Sequence, residues 1–174
     1  MKDVAPLTAN AGKFVDPKMT AKGERRAHVA LTRPETLWFN TGTLCNIACL
    51  NCYIESSPTN NRLVYITEDE VSEYLDQLDD RQWNLREIAF TGGEPFMNPQ
   101  MIGRARAPLE RGYDVLILTN AMRPMMRKKM MDGVLELHEA FGKKLTLRIS
   151  VDHWNPENHD KERGKGSFDR MLEG

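Results

Sequence analysis

The chain has 174 residues, with 24 Lys and Arg against 25 Asp and Glu and a formal net charge of −1, enough length for one ordinary domain. That balance shows neither the basic excess of a nucleic-acid binder nor an acidic tail. The longest apolar runs, residues 115–118 and 145–151, fall far short of the ~20 residues of a membrane span. The first eleven residues hold one Lys and no apolar stretch of a secretory signal, so a soluble, cytoplasmic protein is expected.

Residues 1–27 are polar and aperiodic. They read as a leader, disordered or draped over a domain, with the boundary at residues 35/36. Residues 28–32 make a short candidate strand that Arg33 and Pro34 end. Leu37, Trp38 and Phe39 form the first clear strand, closed by the turn signal Asn40-Thr41-Gly42. A loop containing all the cysteines follows. Thr67 and Glu70 make a capping box that opens a helix with Val71, Tyr74, Leu75 and Leu78 on one face.

Ile88 to Phe90 form the second strand, ended by Gly92-Gly93-Glu94-Pro95. Asn98 and Pro99 suit the cap and first position of a helix carrying Met101, Ile102 and Ala105. Pro108 should kink or end it, and Gly112 stops it. Residues 115–118, apolar throughout, read as a strand buried on both faces, ended by Thr119 and Asn120. A helix is expected over 124–142, with Met126, Met130, Val134, Leu137, His138 and Phe141 near helical spacing and its methionines as core filler. Residues 145–151 are the fourth strand, and 167–172 begin another helix. Strand alternating with helix implies parallel β/α units. The fold class expected is α/β, a parallel sheet of about four units.

The three cysteines lie at positions 45, 49 and 52. A disulfide framework would spread an even number along the chain, so the cluster reads as a metal site. Three thiolates on one loop suit three corners of a [4Fe–4S] cube, which usually takes four Cys. The missing fourth would leave one iron open, as in catalytic metal sites. The alternative is a structural zinc site using Cys49 and Cys52, although no second Cys or His pair sits at finger spacing. Every distinctive polar cluster follows a strand: the cysteines, Gly92 to Pro95, Thr119-Asn120, and Ser150-Val151-Asp152. In parallel α/β folds the carboxyl edge is where ligands bind, so the four should converge.

The C-x₃-C-x₂-C run after strand one and Gly-Gly-Glu-Pro after strand two resemble the radical S-adenosylmethionine superfamily. With the other two strand ends, the resemblance covers residues 36–174. It departs at Asn51, where the family often has an aromatic residue; Tyr53 follows the third cysteine here. The resemblance implies part of a partial TIM-type barrel. It implies that Cys45, Cys49 and Cys52 bind a [4Fe–4S] cluster whose fourth iron is chelated by S-adenosylmethionine. Gly92, Gly93, Glu94 and Pro95 would receive the methionine amino group, and the glycines would let backbone approach the ligand. Ser150 and Asp152 would face the ribose or carboxylate, with Asn120 and Arg163 nearby. The implied activity is reductive cleavage to a 5′-deoxyadenosyl radical that takes hydrogen from an unknown substrate, fed by a donor such as flavodoxin or ferredoxin.

Such barrels generally close six or more β/α units, and eight take ~250 residues. The chain is therefore expected to be a truncated portion whose fourth strand has an unpaired edge needing a partner or second copy. Two further readings remain open: a cluster-binding fragment without turnover, and a zinc-stabilised α/β module.

Overall fold

The computed structural model describes residues 15–174, and the chain divides after Arg33. The part of the expected leader that falls on residues 1–14 lies outside the described residues. Within the N-terminal unit, Met19 and Arg25 pair antiparallel around a turn in which Gly23 N donates to Thr20 O at 2.9 Å. The strand expected over 28–32 does not form. Its five side chains are exposed, so no buried face stabilises one there.

The unit Pro34–Gly174 alternates strand and helix. In chain order it has β1 (Thr36–Asn40), α1 (Glu68–Asp80), β2 (Glu87–Thr91), α2 (Met101–Glu110), β3 (Asp114–Thr119), α3 (Lys128–Phe141), β4 (Leu145–Ile149), α4 (Pro156–Arg163) and α5 (Ser167–Leu172). The sheet order is β1-β2-β3-β4 and every pairing is parallel. This is the expected α/β architecture of parallel units. Because strand side chains alternate, Phe39, Ile88, Phe90, Val115 and Ile117 point to the helical layer. They pack there with Val71 and Leu75 of α1, Met101, Ala105 and Leu109 of α2, and Met130 and Leu137 of α3. The opposite face is mixed: Ala89 and Leu116 are buried, while Trp38, Thr146 and Arg148 are exposed.

The capping box at α1 forms in both directions: Thr67 N donates to Glu70 Oε2 at 2.6 Å, and Glu70 N to Thr67 Oγ1 at 3.2 Å. Three helix boundaries differ from expectation. Asn98 does not cap α2; its side chain accepts from Gln100 N and donates to Ile66 O, and α2 starts at Met101 after a 3₁₀ turn at Pro95–Met97. Pro108 sits inside α2, where it removes one backbone donor without ending the helix, which runs on to Glu110, and Gly112 follows at φ +92. α3 starts at Lys128, because Met125 N and Met126 N both turn back to Met122 O. His138 is exposed rather than on the buried face.

One helix was not foreseen. Asn155 accepts from Glu157 N and Asn158 N, and Pro156 takes the first helical position, so α4 carries a standard start. Its apolar content is too low to show a period. Among the described residues, no helix is long and apolar enough to cross a membrane.

Candidate functional site

β1 delivers the chain at Asn40 to the carboxyl edge of the sheet, and the cysteine loop begins there. Asn40 Oδ1 accepts from Gly42 N at 3.0 Å, which bends the chain outward. The loop then runs against the turn after β2. Gly93 N donates to Gly42 O at 2.8 Å and Glu94 N to Leu44 O at 3.0 Å. This backbone pairing explains the two glycines. A Cβ on Gly93 would lie 2.0 Å from Leu44 O, and one on Gly92, whose φ is +139, would lie 2.7 Å from Gly42 O. The sequence suggested that a ligand demands this bare backbone; the cysteine loop itself already does.

The three thiols open on one cavity of about 190 Å³. Its lining includes Cys45, Cys49 and Cys52 from the loop, Gly92 and Gly93 after β2, Asn120 after β3, Ser150 and Asp152 after β4, and Arg163 at the end of α4. All four strand ends therefore meet, as the sequence placed them. Asn120 Nδ2 lies 3.8 Å from Cys45 Sγ and 2.9 Å from Asn46 Oδ1. Ser56 N donates to Cys52 Sγ at 3.1 Å. Asp152 and Arg163 face each other: Nε reaches Oδ2 at 2.5 Å and an Nη reaches Oδ1 at 3.2 Å, a fork-on-carboxylate pair.

Glu94 and Pro95 stand apart from this lining. The Glu94 side chain points into the protein. Oε1 accepts from Thr119 Oγ1 at 2.8 Å and Phe96 N at 3.2 Å, and Oε2 from Asn120 N at 2.8 Å. Burial pushes its carboxyl up, and these donors oppose the shift without cancelling it. Glu94 thus ties the β2 turn to the end of β3.

Sequence reasoning missed the brace that α4 provides. Leu50 N donates to Glu162 O at 2.9 Å and Asn51 Nδ2 to Glu162 Oε2 at 2.5 Å, between the second and third cysteines. Asn155-Pro156 was the available signal. Ser56 was also read as plain loop. It is 4% exposed, it lines the cavity, and its Oγ has no hydrogen-bond partner.

Burial holds Cys45 and Cys49 toward the neutral thiol in the metal-free chain. Burial pushes Cys45 up to about 11, and also raises Cys49, where Arg163 acts in the opposite direction. Metal loading must therefore release protons. Among the described residues, no three His, Cys, Asp or Glu side chains converge closely enough to hold one metal ion. A cube distributes its cysteines over separate irons and needs no such convergence. Three thiols, an open side and an unpartnered buried hydroxyl on one cavity fit a three-cysteine cluster.

A parallel β/α scaffold with three thiols at its carboxyl edge defines a class of cofactor-bearing α/β proteins. Residues 39–174 match the model of the Radical SAM superfamily, and the chain belongs to that superfamily, a family of enzymes that use a [4Fe–4S] cluster and S-adenosylmethionine. It is 36% identical over 125 residues to the antilisterial bacteriocin subtilosin biosynthesis protein AlbA of Bacillus subtilis, covering 71% of this chain and 26% of that one. It is 27% identical to the AdoMet-dependent heme synthase of Methanosarcina barkeri, covering 84% of this chain and 40% of that one. Crystal structures of Streptococcus suis SuiB share the fold: the form bound to S-adenosylmethionine has a TM-score of 0.64 at 19% identity, covering 81% of this chain and 30% of that one. The chain thus spans between about a quarter and two fifths of the length of these relatives.

Proposed function

We propose that this chain is the radical-generating part of a radical S-adenosylmethionine enzyme, with Cys45, Cys49 and Cys52 as the cluster ligands. The observation that carries this is the meeting of the three thiols with Gly92, Gly93, Asn120, Ser150, Asp152 and Arg163 on one cavity. When bound, the cluster and S-adenosylmethionine supply one-electron reductive cleavage, yielding methionine and a 5′-deoxyadenosyl radical that takes hydrogen from substrate.

The chain's own residues bind and orient. The thiols would bind metal as thiolates, releasing their protons to solvent. The Gly92–Gly93 backbone, pinned to the cysteine loop, lines the same cavity and would receive the methionine amino group. Glu94, buried behind it, holds that backbone and Asn120 in register rather than meeting the ligand. The Asp152–Arg163 pair closes the far side; its carboxylate takes the ribose hydroxyls, and its guanidinium stays close to Cys49. Ser150 offers a hydroxyl at the same wall. Residues 36–174 form the functional core, and a cytosolic flavodoxin or ferredoxin supplies electrons.

The relatives named above carry different functions, so the hydrogen-donating substrate is assigned to no class. The test is anaerobic reconstitution with iron and sulfide, followed by reduction with S-adenosylmethionine. A brown protein that releases 5′-deoxyadenosine is expected, with Cys49→Ala colourless and inactive. A colourless protein retaining one zinc would overturn the reading.

A further inference from the structure

We propose that the Ser56 hydroxyl is a hydrogen-bond donor to the cluster beside Cys52, and that it raises the cluster's reduction potential. This rests on the reading of the three thiols as cluster ligands. Five hydroxyl-bearing side chains are buried among the described residues: Thr41, Thr43, Ser56, Thr119 and Ser167. Four of them donate within the protein. Thr41 bonds to Thr91 O, Thr43 to Asn60 O, Thr119 to Glu94, and Ser167 to Asp160. Ser56 alone has no partner.

A buried hydroxyl left unpaired in a folded chain is costly, and its persistence calls for an acceptor that the protein does not provide. The position says where that acceptor lies. Ser56 lines the thiol cavity, and its backbone N–H already points at Cys52 Sγ from 3.1 Å. Its Oγ is three covalent bonds from that nitrogen, and sulfur on the Cys52 side of a bound cluster would be its acceptor. The neighbouring Ser57 shows the contrast: its Oγ accepts from Thr59 N and Asn60 N and shapes the local turn. Hydrogen bonds to cluster sulfurs stabilise the reduced, more negative state and so move the potential upward.

Ser56 is a positioning and tuning residue in this account, and its test does not depend on turnover. Wild type, Ser56→Ala and Ser56→Thr are reconstituted anaerobically, assayed for iron and sulfide, and titrated potentiometrically by electron paramagnetic resonance without S-adenosylmethionine. The alanine variant should bind the same iron at a more negative potential, and the threonine variant should return toward wild type. Equal potentials in wild type and Ser56→Ala overturn the inference while leaving the cluster reading intact; a wild-type chain that takes up no cluster overturns both. The metal-free proteins give a second readout. Ser56→Ala should melt at or above wild type, since an unpaired hydroxyl is removed, and a clear drop would reveal an internal partner and overturn the inference.

Discussion

Gly93 and Glu94 occupy adjacent positions, and each holds the site together by a different physical means. Gly93→Ala would place a methyl 2.0 Å from a backbone carbonyl of the cysteine loop. Backbone cannot swing aside as a side chain can, so the loop must shift. We expect a loss of about 3 kcal/mol, the upper end for overpacking, seen as a lower urea midpoint, together with poorer iron uptake. Glu94→Ala strands three donors, from Phe96, Thr119 and Asn120. It should cost about 3 kcal/mol or more, and it should do so in the metal-free chain. If unfolding of that variant matches wild type, the inward-facing role assigned to Glu94 is wrong. The residue types at both positions were legible in the sequence. Their reasons were not, because the contacts that constrain them come from Gly42, Leu44, Thr119 and Asn120, elements far away along the chain.

At the scale of elements, α4 and α5 are joined by one carboxylate. Asp160 accepts from Gly166 N, Phe168 N and Ser167 Oγ. The backbone donors at Phe168 and Gly166 hold its carboxyl below the usual range. A depressed folded value means that this stabilisation is present above the unfolded value near 3.8 and is lost as pH falls through the folded one. Wild type should therefore melt above Asp160→Asn at neutral pH, and the gap should close below about pH 4; a gap that is constant down to pH 3 would contradict this. α4 also braces the cysteine loop through Glu162. Glu162→Ala removes the Asn51 contact and should speed alkylation of Cys49 and Cys52 in the metal-free chain, measured by mass spectrometry. α1, with its capping box and four-residue apolar spacing, could be read from sequence because each signal is local. α4 could not, because its stability comes from caps and from its neighbours rather than from an apolar stripe: only His159 is buried on it.

For the whole molecule, the open side of the sheet matters most. β4 pairs with β3 alone among the described residues, and Thr146 and Arg148 are exposed on it. An unpaired edge is a template for another strand. This chain should associate as concentration rises, and Thr146→Lys, adding charge beside Arg148, should weaken that association in sedimentation velocity. Concentration-independent monomer would show that the edge is protected by other means. The sequence by itself determined the alternation of strand and helix, the parallel sheet, the three thiols and the placing of each polar cluster at a strand end. Those properties are periodic or local, and short-range physics is enough to read them. Only the tertiary structure decided that Glu94 turns inward, that the paired glycines make room for the cysteine loop, that Arg163 meets Asp152, and that one buried hydroxyl is left without a partner. The first three are contacts between segments separated along the chain and the fourth is the lack of one, and nothing in local propensity or spacing encodes which separated groups come within hydrogen-bonding range once the sheet has formed.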